Sequence, residues 1–166
     1  AADTFTVETG GSEALRVDSS GRLLLGTTTE GEANADDLTV ATSGHTGITI
    51  RSGTTNRGNI YFSDGTSGDA EYRGYVTYDH DGDKFKFGTA NIDRLVIDSS
   101  GRLLVGTTTE GEASADNFTV ADSGNSGITI RSGTSDRGSI YFSDGTSGSD
   151  EFRGYLIYDQ GVNAMR

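Results

Sequence analysis

The sequence predicts an all-β protein, built as an elongated, repetitive antiparallel meander of short strands. Three observations favour this class: apolar residues alternate with other residues in short runs, Gly-containing turn sequences separate the runs, and the whole pattern returns further along the chain. Hydrophobic residues make up 32% of the 166 residues and Gly contributes 25, which is too little apolar material for the thick core of an ordinary globular domain. Seven Tyr and seven Phe, regularly placed, argue against disorder.

A tandem repeat organises the chain. The stretch from Asp18 to Ala33 returns almost unchanged from Asp98 to Ala113, an offset of 80 residues (98 − 18), and most of the positions that follow also match. We therefore divide the sequence into residues 1–17, the end of a preceding repeat, residues 18–97, the first repeat, and residues 98–166, a truncated second repeat. Because both ends cut through the repeat, we expect the chain to be a piece of a longer protein.

Strands are predicted wherever two apolar residues flank one other residue, since alternate side chains of a strand share a face. Gly is expected to supply the positive φ of the turns between them, as at Gly21 and in the Ser43-Gly44, Ser52-Gly53, Asp64-Gly65 and Asp81-Gly82 pairs. Residues 30–37 are expected to form a short helical or irregular corner. The predicted strand pairs are Leu23 and Leu25, Leu38 and Val40, Ile48 and Ile50, Ile60 and Phe62, Val76 and Tyr78, Phe85 and Phe87, and Leu95 and Ile97.

Each predicted strand offers about two inward side chains, so one chain alone would bury a thin apolar face and leave sheet edges open. Packing the apolar faces of several chains around one axis solves this problem. Cyclic symmetry makes a homotrimer with a shared core the natural arrangement. A monomeric β-solenoid is the rival architecture, but the 80-residue unit shows no convincing subdivision into rungs of about 20–30 residues.

Charge and composition exclude several classes of function. The formal net charge of -12 opposes binding to nucleic acid or to anionic membrane surfaces. No Cys is present, which removes disulfides, thiolate metal sites and thiol catalysis. The sequence contains no apolar run long enough to span a bilayer, so we expect no membrane insertion, and no motif calls for a cofactor.

The repeat motif resembles the shaft repeats of tailed-bacteriophage tail fibres and tail spikes. The resemblance rests on residues 94–109, on Gly138 to Gly145, on Arg153-Gly-Tyr155 and on Asn163 to Arg166, and it covers nearly the entire chain. In that family the motif often precedes a C-terminal self-cleaving chaperone domain, none of whose residues are present here. The resemblance implies a homotrimeric, extracellular virion component that takes part in host attachment.

Asp79, Asp81 and Asp83 are the candidate calcium ligands, because carboxylates at alternate positions around a Gly turn can gather hard oxygen atoms. The second repeat has Asp159, Gly161 and Asn163 at these positions, so two of the three carboxylates are lost. A simple hairpin turn therefore remains the preferred interpretation.

Four tyrosines are candidate contacts to a host receptor or a surface glycan. Strand alternation can turn a minority of the aromatic cluster outward, where a Tyr ring can stack on a sugar. We expect these residues to be Tyr61 and Tyr75 in the first repeat and Tyr141 and Tyr155 in the second.

The repeated carboxylates Asp64 and Glu71, with Asp144 and Glu151, could be mistaken for a glycosidase pair. Because the chain has no Trp to line a sugar groove, we expect ion pairs with the repeated arginines instead, and no enzymatic activity. Three functions follow as hypotheses: a structural shaft segment of a tail fibre, a glycan-binding or depolymerising tail-spike segment, or a calcium-clamped adhesin repeat.

Overall fold

The computed structural model describes residues 3–166 as two compact all-β units, one ending at Arg51 and one spanning Ser52–Arg166. The first unit holds β1 (Phe5–Thr9), β2 (Ser12–Val17), β3 (Leu23–Leu25) and β4 (Leu38–Val40) in that spatial order. The all-β prediction is confirmed. The strands of the second unit are β5 (Arg57–Phe62), β6 (Gly74–Asp79), β7 (Lys84–Thr89), β8 (Ile92–Ile97), β9 (Leu103–Val105), β10 (Phe118–Val120), β11 (Arg137–Phe142), β12 (Gly154–Asp159) and β13 (Ala164–Met165).

Strands β5 to β10 form a six-stranded sheet in which each strand lies beside its neighbour in sequence. The pairings are antiparallel up to β9, as a meander requires, whereas β9 and β10 run parallel. The equivalent strands β3 and β4 of the first unit are also parallel. The prediction of a purely antiparallel meander is thus wrong at this step, because a connection of a dozen residues is long enough to return the chain to the same end of the sheet.

The connection over residues 106–117 is irregular, like its counterpart over residues 26–37, and it covers one face of the sheet. The Gly111 N–H donates a hydrogen bond of 3.0 Å to Thr119 Oγ1, and Thr119 lies beside Leu104 on the neighbouring strand. Leu104 is 1% exposed, and its cross-strand partner Val96 is also buried. This small cluster is the main apolar core that the second unit builds by itself.

An arginine holds the connection in place. Arg102 Nε donates to Asp98 Oδ2 at 2.7 Å, and its Nη1 donates to Asp116 Oδ2 at 2.8 Å. The first unit repeats the arrangement with Arg22, Asp18 and Asp36. The guanidinium fork therefore ties the turn before the strand to the end of the irregular connection in both repeats.

The opposite face of the six-stranded sheet is apolar and largely uncovered within the chain. The strand register aligns Tyr78, Phe85, Ile97 and Leu103 in one row, and alternation places the next row two residues along each strand. Its most exposed members are Ile60, Phe62, Phe85, Phe87, Ile92, Ile97 and Phe118.

Strands β11 to β13 form a separate three-stranded sheet that repeats the register of β5, β6 and the start of β7. Between β5 and β6, and between β11 and β12, the chain makes 3-10 turns at Gly68–Tyr72 and Gly148–Phe152, which the sequence pattern did not predict. Compact units and repeat boundaries do not coincide, since β8 of the first repeat pairs with β9 of the second.

Two further local predictions are wrong. Ile48 and Ile50 form no strand, and both side chains are exposed in an irregular segment. Gly21 has the predicted positive φ, whereas Gly44, Gly53, Gly65 and Gly82 do not. At the β6–β7 turn the left-handed conformation belongs to Asp83 instead, and in the second repeat to Asn163, residues whose short polar side chains tolerate it.

Candidate functional site

A concave site of about 490 Å³ lies on the polar face of strands β5 to β7, opposite the apolar face described above. Alternation along β5 turns Arg57, Asn59 and Tyr61 toward this face, while Ile60 and Phe62 point away from it. The neighbouring strands supply Tyr75, Thr77 and Lys86, and the segment after β7 supplies Asn91 and Asp93. Tyr72, from the 3-10 turn, completes the lining.

Tyr61 and Tyr75, the two tyrosines predicted as surface contacts, meet in this site as direct cross-strand partners. Tyr61 is 52% exposed, and its ring centroid lies 6.0 Å from that of Tyr72 with the rings tilted by 46°. The two rings form an aromatic wall that solvent can reach. The prediction that both tyrosines are outward-facing is right for Tyr61 and less so for Tyr75, which is half-buried.

The ring of Tyr75 lies across Gly88, where any Cβ would overlap with it. Its hydroxyl donates a hydrogen bond of 2.5 Å to Asp93 Oδ1. Burial raises the pKa of Tyr75 to about 12, and the hydrogen bond to Asp93 acts in the same direction. Tyr75 therefore forms a fixed, neutral floor to the site.

Two cations and two carboxylates balance each other at one side of the site. Arg57 Nε lies 3.1 Å from Asp79 Oδ2, and Lys86 Nζ lies 3.5 Å from the same oxygen and 3.7 Å from Asp93 Oδ2. Burial by itself would raise the pKa of Asp79, but the charges of Arg57 and Lys86 outweigh it and lower the pKa. The four groups leave no net charge.

A hydrogen bond orders the centre of the site. The buried Thr77 hydroxyl donates to Asn59 Oδ1 at 2.8 Å, which leaves the NH₂ group of the amide as a donor for other partners. Sequence reasoning missed Asn59, Thr77, Lys86 and Asp93. Strand alternation from Tyr61 and Tyr75 was the signal that could have found the first two, whereas the contribution of Asp93 depends on the bulge in the β7–β8 pairing.

In the second repeat, Tyr141 and Tyr155 are cross-strand partners in the same register, and both are exposed. The surrounding residues differ. Phe152 replaces Tyr72, Ile157 replaces Thr77, and Ser139 replaces Asn59. Two hydroxyls and one amide are thereby lost, and the polar site of the first repeat is not reproduced.

The calcium candidates are not brought together. Asp79 is held by Arg57 and Lys86 as described, Asp83 accepts a hydrogen bond of 3.2 Å from the Tyr78 hydroxyl, and Asp81 is exposed in the turn. Across residues 3–166, no three His, Cys, Asp or Glu side chains are grouped closely enough to hold a metal ion.

The repeated carboxylates form ion pairs in part as expected. Arg73 Nε lies 3.6 Å from Asp64, and Arg153 Nε lies 3.1 Å from Asp144. Arg57 and Arg137 instead pair with Asp79 and Asp159, across strands. These exposed pairs are ordinary surface interactions, each contributing little to stability.

Comparison with known proteins gives no relative: neither the protein-family models nor the curated protein sequences contain a match to this chain. In the part of the chain that the structure describes, no helix has the length and hydrophobicity needed to cross a lipid bilayer.

Proposed function

We propose that the chain is a structural segment of an elongated, homotrimeric attachment fibre, of the kind found in the shafts of phage tail fibres. The observation that supports this most directly is the uncovered apolar face of the six-stranded sheet. Single exposed apolar side chains are normal on protein surfaces, but a continuous face of them marks an interaction surface. A second and third copy of the same chain would cover it.

The accessible surface supports the same proposal. The chain exposes 12102 Å², whereas a compact folded monomer of 17.4 kDa exposes about 7,900 Å². The difference of roughly 4,000 Å² is of the order buried in permanent interfaces. Within the chain, the fully buried apolar core amounts to Leu24, Val96, Leu104 and Ile157.

The repeat gives the interface its continuity. In the second repeat Ile140, Phe142, Leu156 and Tyr158 lie in the register of the exposed apolar residues of the first, and they too are exposed. A shared core formed at one repeat is therefore available again at the next. We assign the attachment role and the extracellular, virion location to the resemblance of residues 94–109 to tail-fibre shaft repeats.

The proposal is tested by the mass of the chain in solution, measured by light scattering with and without a chelator. We expect three times 17.4 kDa, about 52 kDa, in both conditions. A folded monomer would overturn the shared-core proposal. A trimer that dissociates on chelation would show that a metal ion, rather than the apolar face, holds the chains together.

A further inference from the structure

We propose that the concave site on the polar face of the first repeat binds a short neutral oligosaccharide. The site is built by Asn59, Tyr61, Tyr72, Tyr75, Thr77 and Asp93. This inference goes beyond the structural role proposed above and does not depend on the number of chains in the assembly.

The aromatic wall gives the first argument. A sugar ring presents an apolar face of C–H groups and an equatorial rim of hydroxyls, so it packs against an exposed aromatic ring while its rim remains available for hydrogen bonds. The exposed ring of Tyr61, with Tyr72 6.0 Å away, supplies such a surface. The volume of about 490 Å³ is within the range of roughly 300–1,000 Å³ typical of small-molecule sites.

The polar groups give the second argument. Beside the aromatic wall stand an amide, a carboxylate and an ammonium group, contributed by Asn59, Asp93 and Lys86. Together they offer both donors and acceptors, which is what hydroxyl groups need because each hydroxyl can donate and accept. The Thr77 to Asn59 and Tyr75 to Asp93 hydrogen bonds fix two of these groups before any ligand arrives.

The charge balance decides between neutral and acidic sugars. Arg57 and Lys86 are already compensated by Asp79 and Asp93 at distances of 3.1–3.7 Å. An anionic sugar would have to compete with these carboxylates for the same cations. In a chain with a net charge of -12, it would also meet an unfavourable overall field. A neutral ligand meets neither obstacle.

Access to the site is compatible with the trimer proposed above. The site residues of β5 and β6 occupy the face opposite Ile60, Phe62 and Val76. Covering the apolar face with other copies of the chain therefore leaves the polar face open to solvent.

The second repeat offers a control within the same chain. It keeps the tyrosine pair as Tyr141 and Tyr155 but has Ser139, Phe152 and Ile157 in place of the polar residues. The triple substitution Asn59→Ser, Tyr72→Phe and Thr77→Ile gives the first repeat the residues that the second repeat already accommodates, so the fold should be preserved.

The test is a titration of the full chain with lactose, maltotriose, cellotriose, N,N′-diacetylchitobiose and the anionic 3′-sialyllactose, followed by saturation-transfer NMR and calorimetry. We expect at least one of the neutral probes to bind. Tyr61→Ala should weaken that binding by at least about fivefold, whereas Tyr141→Ala should leave it unchanged. The triple variant should lose binding, with circular dichroism and solution mass unaltered.

Absence of binding by every neutral probe at millimolar concentration would overturn the proposal, as would binding of the anionic probe alone. Equal binding by the parent chain and the triple variant would place the saccharide elsewhere and overturn the assignment of the site. Because the solution mass is measured separately, failure of the saccharide site and failure of the trimer proposal are distinguished.

Discussion

The carboxylate of Asp98 organises the turn between β8 and β9 by accepting three hydrogen bonds. The backbone N–H groups of Ser100 and Arg102 donate to Oδ1 at 2.9 and 3.0 Å, and the Arg102 guanidinium donates to Oδ2 at 2.7 Å. The hydrogen bond from the Arg102 side chain lowers the pKa of Asp98, the two backbone donors add to this effect, and burial opposes it. Asp18 has the same partners in the first unit, and its pKa is lowered for the same reasons.

A lowered pKa makes the stability of this turn depend on pH in a definite direction. The unfolded chain binds a proton at Asp98 near pH 3.9, while the folded chain does so at lower pH. The stabilisation is therefore fully present above the unfolded pKa and is lost as the pH falls through the folded pKa. We expect Asp98→Asn to lower the melting temperature at pH 7, and the difference from the parent chain to narrow below about pH 4.

Melting temperatures measured by circular dichroism between pH 7 and pH 3 test this expectation, with Asp81→Asn as the control because Asp81 is exposed in a turn. The control should match the parent at each pH. A difference between parent and Asp98→Asn that stays constant over the whole pH range would contradict the role given to the carboxylate.

At the scale of the strands, local alternation was a sufficient guide wherever a strand is paired on both sides. Six of the seven predicted strand pairs lie in strands, from Leu23–Leu25 to Ile92–Ile97. Alternation is a property of the residues themselves, whereas pairing needs a neighbour, and Ile48 and Ile50 find none. Strand direction likewise depends on where the intervening chain travels, which the pattern of apolar residues does not record.

The candidate site was predictable to the same extent. The two tyrosines were found because alternation alone places them on one face. Lys86 and Asp93 join them through the pairing of β7 with its neighbours and through the bulge at Phe87 and Gly88. Such tertiary relations are set by register, which no single strand encodes.

Gly106 shows how the irregular connection depends on one backbone conformation at the end of β9. Its φ is +73°, and a Cβ at this position would overlap with the carbonyl oxygen of Ala121. Gly101, at φ +79°, has no atom within 4 Å of such a Cβ. Gly101→Ala should therefore cost about 1–2 kcal/mol through backbone strain, and Gly106→Ala should cost clearly more because strain and overlap act together.

Urea unfolding of the two variants separates these contributions, since both carry the same substitution at a similar φ. Equal losses of stability would mean that the Ala121 strand end moves aside at no cost, against the close approach seen here.

At the scale of the whole molecule, the two faces of the six-stranded sheet should differ in their effect on association. Phe87 and Lys84 lie on the same strand three residues apart, so they point to opposite faces. We expect Phe87→Ser to weaken association by at least about tenfold, because it removes a large apolar side chain from the proposed shared core. Lys84→Ser should leave association unchanged.

Sedimentation equilibrium over a range of concentrations gives the comparison, with circular dichroism to show that both variants retain their strands. If both keep the parent's mass at every dilution, the apolar face is not where the chains meet. If both dissociate alike, the polar face takes part in the contact.

The sequential order of strands β5 to β10 also has a kinetic meaning. Every pairing in that sheet joins strands that follow one another along the chain, so each step closes a short loop and has a small entropic cost. Such a sheet can form strand by strand in the order of synthesis. The encounter of separate chains, which becomes faster as their concentration rises, is then left as the slow event in building the fibre.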